Sequence, residues 1–300
     1  MYLFSYIKFG INTGVVWVRK KVLISSNPRN IVPLPMNKPI GIIDSGVGGL
    51  SIASVLIKKL PKESFIYIAD SQNCPYGQKD KEEIYELTKK MIDYLLKRNI
   101  KLLVIACNTI TVTSIDRLRK EFKQIPIVGI VPVIKTAQEK TLNKRIGVYS
   151  TMVTANSSYQ KKLIDKFAKE SRVISLGSSK LFSLIEKGDK KGINRLLNKE
   201  LKIFIENNID TLALGCSHFP LIKKQIGKLL PGVLVLDSST AVFNQVERIL
   251  KNNNALSSSL NSDYNFLTTG DEEIFAEFVK GVIGEKLTNK AKLSRISLHD

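Results

Sequence analysis

From Pro39 onward the chain alternates short apolar segments with longer amphipathic ones. The apolar segments suit buried strands, and the longer segments repeat apolar residues at helical spacing. Alternation of this kind is typical of βαβ units that build a largely parallel sheet. The predicted strands are 40–43, 65–69, 102–106 and 127–130, and the predicted helices are 50–60, 82–98 and 111–122.

The chain is predicted to cross from a first domain to a second near 131–136, where the alternating pattern restarts. This second part is predicted to have strands at 146–149, 173–176, 211–214 and 233–236 and helices at 159–169, 181–187, 193–205 and 241–250, with a tail strand at 266–269 and a tail helix at 272–282. We therefore predict an α/β fold of two pseudo-symmetric domains, each a mainly parallel sheet flanked by helices. The predicted boundaries are an N-terminal extension at 1–36, a first domain at 37–132 with 243–300, and a second domain at 133–242.

A weak repeat within the sequence favours two related halves. Residues 102–109 and 211–218 each read as an apolar strand, a small residue, a cysteine and two polar residues. Cys107 and Cys216 hold the same place in the two segments.

Residues 1–36 differ from the rest of the chain. They carry five basic residues and no acidic one, and the basic cluster follows the apolar patches. A signal peptide has the opposite order, so export is not expected. The segment is either a loosely attached extension or an upstream over-read of a start at Met36.

The net charge of +19 raises the question of nucleic-acid binding. Lysine pairs are dispersed along the chain, so solvated helix faces are favoured over one basic binding face, although such a surface attracts anionic substrates. No apolar run approaches the roughly 18–20 residues of a membrane-spanning helix.

The chain has three cysteines, Cys74, Cys107 and Cys216, and two histidines, His218 and His299. An odd, sparse set of cysteines is a poor disulfide framework and favours a reducing compartment such as the cytoplasm. No pair of ligands stands at a zinc-type spacing, so no metal site is expected.

Cys107 and Cys216 each follow a predicted strand and precede a predicted helix. In parallel sheets this edge binds ligands, and the helix start is expected to lower the pKa of a thiol. The alternative is that each cysteine is a small buried hydrophobe, but two matched contexts favour function. One thiolate beside a base would suggest a hydrolase or transferase nucleophile. Two thiols, one on each face of a substrate, could remove and return an α-proton without a cofactor.

The segment 44–49 reads Asp-Ser-Gly-Val-Gly-Gly and follows the first strand. It lacks the third glycine of the dinucleotide fingerprint, because Ser51 stands there, and a carboxylate-binding turn suits it better. Asp44 is a general base, a thiol partner or a helix N-cap. Tyr76 is a candidate for substrate binding, and His218 is placed to share a proton with Cys216.

Four motifs resemble glutamate racemase of the aspartate/glutamate racemase superfamily: residues 43–50, 74–77, 106–109 and 215–220, in this order and spacing. The resemblance runs from about Pro39 to about Leu250 and implies an active site in the cleft between the two halves. It implies that Cys107 and Cys216 are the catalytic pair, assisted by Asp44 and His218. Glu186 resembles an active-site-wall residue of the family. The implied substrate-binding residues are Asp44, Ser45, Pro75, Tyr76, Gly77, Cys107, Asn108, Thr109, Thr151, Cys216, Ser217 and His218.

The activity implied is cofactor-independent racemisation of L-glutamate to D-glutamate for peptidoglycan synthesis, and so for cell-wall biogenesis and cell shape. His218 favours glutamate, because aspartate racemases tend to carry an acid there. The chain departs from the family in having Ser217 for threonine, Ile110 for alanine and a longer N-terminal extension. Family members with such an extension resemble enzymes that are activated by UDP-N-acetylmuramoyl-L-alanine, so this compound is a candidate activator. No metal or membrane partner is implied, and the chain is expected to be a monomer or a homodimer.

Two alternatives stay open at this point. One is a racemase or isomerase that acts on another small carboxylate. The other is a non-catalytic basic binding module that has kept the fold.

Overall fold

A computed structural model describes residues 3–11, 14–22 and 34–298, and in the first two ranges it describes the backbone alone. These two ranges are strands β1 (Leu3–Ile11) and β2 (Gly14–Val22), which pair antiparallel with Leu3 opposite Val22. The sequence predicted only apolar patches there. Residues 23–33 of the predicted extension and the second histidine, His299, lie outside the described residues.

A second compact unit begins at Leu34. Its strands are β3 (Ile40–Asp44), β4 (Phe65–Ala69), β5 (Leu102–Ile105), β6 (Ile127–Gly129), β7 (Arg145–Thr151), β8 (Arg172–Ser178), β9 (Thr211–Gly215), β10 (Leu234–Leu236), β11 (Tyr264–Thr268) and β12 (Lys292–Arg295). Its helices are α1 (Leu50–Lys59), α2 (Lys81–Leu96), α3 (Asn108–Glu121), α4 (Ile134–Lys140), α5 (Met152–Ala155), α6 (Ser158–Phe167), α7 (Leu181–Glu186), α8 (Lys190–Glu200), α9 (Lys202–Glu206), α10 (Lys223–Leu229), α11 (Ser239–Asn252), α12 (Glu272–Ile283) and α13 (Glu285–Thr288). Short 3-10 turns span Ser71–Asn73, Tyr76–Gln78 and Phe219–Ile222.

The strands of this unit form two parallel sheets. The larger has the order β12-β11-β4-β3-β5-β6 and the smaller has the order β10-β9-β7-β8. The first four strands of each sheet follow one order, in which the first strand lies between the second and the third. The repeat in the sequence therefore reflects a repeated topology, and β5 and β9 are equivalent strands.

The larger sheet is covered on both faces, which explains its unbroken apolar strands. Ile42 and Val104 point to one face, where they pack with α1, α11 and α12, whereas Ile43 and Ile105 point to the other, with α2 and α3. All four residues of β5 are buried.

The smaller sheet is built in the same way. Tyr149, Leu212 and Leu214 face a cluster with α7 to α10, and Val148 and Ala213 face a cluster with α4 and α6. The predicted α/β fold of parallel sheets flanked by helices is thus confirmed.

Three local predictions differ from the structure. The helix predicted at 193–205 is two helices, α8 and α9, which meet at Leu201. The crossing between the two domains was predicted at 131–136, but helix α4 already begins at Ile134. The edge strand β12 was not predicted, because its sequence Lys-Leu-Ser-Arg lacks an apolar run. None of the helices in the described residues is long and apolar enough to span a membrane.

Candidate active site

Cys107 lies between β5 and α3 and is buried. Its Sγ is 3.5 Å from Oγ of Ser45, which follows the neighbouring strand β3. The sequence predicted that the start of the helix lowers the pKa of this thiol. Burial instead raises the pKa of Cys107, with a further rise from Asp44, and these effects outweigh the hydrogen bonds of Ser45 and of the Ile110 N–H.

Cys216 follows β9, the strand equivalent to β5. Its Sγ is 3.8 Å from Nδ1 of His218, whose Nε2 is 2.5 Å from Oε1 of Glu186. Burial lowers the pKa of His218, but the hydrogen bonds to Cys216 and Glu186 outweigh it, so the pKa lies well above its usual value. The helix predicted directly after Cys216 is a 3-10 turn, Phe219–Ile222, followed by the seven-residue α10. His218 therefore takes the place of a helix end as the positive partner of this thiol.

Asp44 ends β3 and is fully buried. Its carboxylate accepts the N–H groups of Ser45, at 2.8 Å, and of Gly49, which precedes α1. Its Oδ1 lies 3.4 Å from the hydroxyl of Ser217, which donates to it. Burial raises the pKa of Asp44 to about 6, although His218 and the two N–H donors oppose the rise. Asp44 thus links the start of α1, as an N-cap would, to the residue that follows Cys216.

The glycine-rich turn, predicted to bind a carboxylate, holds two carboxylates of the protein itself. The N–H of Val47 donates to Oε1 of Glu186 at 2.8 Å, and the N–H of Gly49 donates to Asp44. A Cβ on Gly46 would lie 2.1 Å from Oε1 of Glu186. Glycine is therefore required at position 46 for Glu186 to approach the turn and reach His218.

A cleft with about 310 Å³ of empty space, counting its open part, brings the candidate residues together. It lies at the carboxyl ends of both sheets, next to strand pairs β3–β5 and β7–β9, where the strand order reverses and ligands bind in parallel sheets. Asp44 and Glu186 do not line it and lie behind its wall. It is lined by Ser45, Cys74, Pro75, Tyr76, Gly77, Cys107, Asn108, Thr109, Thr151, Phe182, Cys216, Ser217 and His218.

The cleft wall contains polar atoms that can bind a ligand. Nδ2 of Asn108 is buried and has no hydrogen-bond partner among the described residues. Oγ1 of Thr109 and Oγ1 of Thr151 stand 3.3 Å apart and join α3 to the end of β7. Unpaired buried donors are costly, so an anionic ligand would relieve Asn108.

The sequence model of the Asp/Glu/Hydantoin racemase family matches residues 40–246, which include both cysteines. The glutamate racemase of Clostridium acetobutylicum is 40% identical over 216 residues, 71% of this chain and 84% of that protein. The chain belongs to the glutamate racemase family. A second relative, the glutamate racemase of Oceanobacillus iheyensis, is 36% identical over 83% of this chain and 93% of its own length.

Solved glutamate racemase structures share this fold. A Bacillus anthracis enzyme aligns with a TM-score of 0.79 at 31% identity, covering 88% of this chain and 98% of its own. The Escherichia coli enzyme, solved with L-glutamate and the activator UDP-MurNAc-Ala, aligns with a TM-score of 0.74 at 30% identity, covering 87% of this chain and all of its own. The fold is that of a glutamate racemase.

The sequence did not single out two residues of the cleft wall, Cys74 and Phe182. Cys74 belongs to the motif 74–77, in which only Pro75, Tyr76 and Gly77 were predicted to bind substrate. Phe182 was not predicted, although it lies one helical turn before Glu186 on α7 and the helical spacing from Glu186 was a signal that could have found it. Tyr76 lines the cleft, but its hydroxyl donates to Oδ2 of Asp70 at 2.5 Å and is already occupied.

Proposed function

We propose that this glutamate racemase family member interconverts L- and D-glutamate with Cys107 and Cys216 as a two-thiol acid/base pair. The observation that carries the proposal is that both cysteines line one cleft, each at the end of the third strand of its sheet. A substrate carbon held between them would present one face to each sulfur. One sulfur removes the α-proton while the other delivers a proton to the opposite face, which inverts the carbon.

His218 is assigned to the Cys216 side. A protonated imidazole 3.8 Å from the sulfur stabilises the thiolate electrostatically, and Glu186 keeps that imidazole protonated through its hydrogen bond to Nε2. Glu186 acts through His218 and is a positioning residue, because it does not line the cleft.

On the other side, Ser45 is the hydrogen-bonding neighbour of Cys107, and Asp44 lies behind it. Burial and the Asp44 carboxylate favour the protonated thiol of Cys107, so this sulfur rests as the proton donor in the free protein. Each inversion exchanges the protonation states of the two sulfurs. Proton transfer to and from solvent then resets the pair for the next substrate of the same configuration.

The substrate carboxylates are assigned to the polar wall of the cleft. Nδ2 of Asn108 supplies an unpaired donor, and the start of α3 supplies backbone N–H groups. The hydroxyls assigned to the substrate are those of Ser45, Thr109, Thr151 and Ser217, and the loop of Pro75, Tyr76 and Gly77 closes the cleft beside them.

The role proposed for the product is to supply D-glutamate for peptidoglycan synthesis in the cytoplasm. Cys74, Cys107 and Cys216 are free thiols, as this compartment favours. UDP-N-acetylmuramoyl-L-alanine is proposed as an activator, supported by the Escherichia coli structure, which contains UDP-MurNAc-Ala. The domain boundaries 37–132 with 243–300 and 133–242, and a monomeric or homodimeric state, also stay proposals.

Circular dichroism of the purified full chain with L- or D-glutamate tests the proposal, with L-aspartate in parallel and the muramoyl nucleotide present or absent. We expect glutamate to lose its optical signal from either enantiomer. Cys107→Ser and Cys216→Ser should each slow this at least about 10²- to 10⁴-fold, the usual contribution of a general acid or base. Equal thermal melts would show that the variants fold. An unchanged rate of inversion in either folded variant contradicts the two-thiol scheme. Inversion of aspartate but not of glutamate contradicts the assignment of glutamate as the substrate.

A further inference from the structure

Three metal-ligating side chains converge beside the cleft from three separate parts of the chain. Cys74 comes from the loop after β4, Glu186 from the end of α7, and His218 from the loop after β9. One donor atom from each lies within 4.8 Å of the other two. No zinc-type spacing in the sequence could reveal this group, because its members are 112 and 32 residues apart.

Two of the three donor side chains have an atom that forms no hydrogen bond within the described part of the chain. Sγ of Cys74 forms no hydrogen bond among the described residues, and the proposed reaction does not use it. Oε1 of Glu186 accepts from Val47 and faces His218, whereas Oε2 of Glu186 forms no hydrogen bond within the described part of the chain. Cys74 and His218 both line the cleft, so an ion could enter from solvent.

The combination of a thiolate, an imidazole and a carboxylate selects the type of ion. Mg²⁺ and Ca²⁺ prefer oxygen ligands, whereas Zn²⁺ takes sulfur, nitrogen and oxygen together. Three protein ligands leave the fourth tetrahedral position open to water or to a substrate group.

The distances require a small adjustment of side chains. With Zn²⁺–donor bonds of about 2.0–2.3 Å, two tetrahedral ligands stand about 3.3–3.7 Å apart. The 2.5 Å contact between Glu186 and His218 would therefore widen by about 1 Å, and Cys74 would move towards them. Partial exposure of Cys74 and of Glu186, at 18%, leaves both side chains room to rotate.

We propose that Cys74, Glu186 and His218 form an inhibitory site for a thiophilic divalent cation, with Zn²⁺ as the ligand to test. The inhibitory part rests on the proposed function. A bound ion displaces one proton from Cys74 and one from the ring of His218 to solvent, because only a thiolate and a neutral imidazole coordinate a metal. It also takes the ring of His218 out of its hydrogen bond with Glu186, beside the sulfur of Cys216. It also places a double positive charge in the cleft wall, where it holds a substrate carboxylate away from the two thiols.

Cobalt binding tests the site without reference to activity. The full chain is freed of metal with a chelator, exchanged into clean buffer and titrated with Co²⁺, with Zn²⁺ then added as a competitor. We expect one equivalent of Co²⁺ to produce a thiolate-to-cobalt absorption band with tetrahedral visible bands, and Zn²⁺ to abolish them. Absence of the band in the full chain overturns the proposal.

Matched cysteine variants identify the sulfur. Cys74→Ser should remove the thiolate band, while Cys107→Ser and Cys216→Ser retain it. The opposite pattern would assign the ion to Cys107 or Cys216 and overturn the site. Glu186→Gln, which keeps the shape of the side chain, should weaken Co²⁺ binding by more than about 10-fold, since even an outer-shell partner is worth 10- to 100-fold in metal affinity. Unchanged affinity in this variant also counts against the site and stays informative if Cys74→Ser misfolds.

Racemisation assays then test inhibition. Zn²⁺ should stop racemisation by the metal-free full chain, and a chelator should restore it. For Cys74→Ser, the Zn²⁺ concentration that halves the variant's own basal rate should be more than about 10 times higher than for the unchanged chain. Cobalt binding without any racemisation would leave the site standing and reject the proposed function. Racemisation that is insensitive to Zn²⁺ would reject the inhibitory role.

Discussion

Glu186 matters at the residue scale because it contributes to the charge of His218. Together with the hydrogen bond to Cys216, the Nε2 contact and the carboxylate charge of Glu186 hold the imidazole in its protonated form against the effect of burial. The resemblance alone led to Glu186, and only the structure shows which residue it serves. The sequence also predicted the wrong direction for the pKa of the Cys107 thiol, since its burial depends on tertiary packing that no local pattern contains.

Glu186→Gln should shift the pH dependence of racemisation. Loss of the carboxylate charge lowers the pKa of His218, so the protonated ring is lost at lower pH. The alkaline limb of the kcat/KM profile should therefore move to lower pH by about 1–2 units, the equivalent of a charge-assisted hydrogen bond of about 1.5–3 kcal/mol. Rates are measured with a chelator present.

Glu170→Gln is the control for this change. Glu170 is an exposed partner of Lys144, at 3.4 Å, and does not line the cleft. Its profile should superpose on that of the unchanged chain. A Glu186→Gln profile that also superposes would show that Glu186 does not govern the proton of His218.

At the element scale, the turn between β3 and α1 is a binding element for the protein's own carboxylates. Its N–H groups hold Asp44 and Glu186, and Ser51, in the first turn of α1, donates from its Oγ to the carbonyl oxygen of Ser217 at 3.3 Å. The turn therefore connects residues that follow β3 with residues that follow β9. Its glycines were predicted to admit an anion. In the structure Gly46 is needed because Glu186 approaches it closely, and Gly48 because His218 and Ser217 do.

Gly46→Ala should reproduce the Glu186→Gln effect without touching an acidic residue. The new Cβ would collide with Oε1 of Glu186, whose flexible side chain can turn away. The lost hydrogen bonds should lower the free energy of unfolding by about 1–2 kcal/mol, and the alkaline limb should again move to lower pH. Denaturant unfolding and the pH profile measure the two effects.

Gly281→Ala is the matched control. Gly281 lies in α12 with open space around the position of a Cβ. Alanine there should stabilise the chain by about 0.5–1 kcal/mol, because it is the better helix former, with activity unchanged. If Gly46→Ala kept the pH profile of the unchanged chain, the contact with Glu186 would not control the site.

On the scale of the whole molecule, the cleft and the most deeply buried ion pair among the described residues lie at opposite ends of the strands of the larger sheet. Nζ of Lys101 is 2.6 Å from Oε2 of Glu63, and it donates to the carbonyl oxygens of Met36 at 2.5 Å and Ala255 at 2.7 Å. Lys101 and Glu63 precede β5 and β4, at the amino ends of these strands. This cluster ties distant segments together where the substrate does not bind.

Lys101→Met should lower the free energy of unfolding by about 3–5 kcal/mol, because it leaves the buried carboxylate of Glu63 without its cation. The kcat of the folded protein should stay unchanged at temperatures where it remains folded. Lys144→Met, which breaks the exposed pair with Glu170, should cost at most about 1 kcal/mol. A similar small cost for both variants would show that the buried pair does not stabilise the fold.

The sequence was most informative where apolar runs are long and buried. The strand predicted at 65–69 has the same bounds as β4, because each of its residues is buried. The matched segments around Cys107 and Cys216 correctly indicated equivalent strands. It was least informative where distant segments meet, as in the pairing of Glu186 with His218 or the approach of Cys74, since no local pattern encodes such contacts.

The most direct test of the two-thiol account follows the α-hydrogen of glutamate in deuterium oxide. Ordinary L-glutamate is incubated with the full chain, and L- and D-glutamate are separated at early times and analysed by mass. Because one sulfur removes the proton and a different sulfur returns a solvent deuteron, the D-glutamate should carry deuterium at Cα while the remaining L-glutamate stays unlabelled. D-glutamate that keeps the original hydrogen, or deuterium that enters both enantiomers equally, would mean that one group works on both faces and would contradict the account.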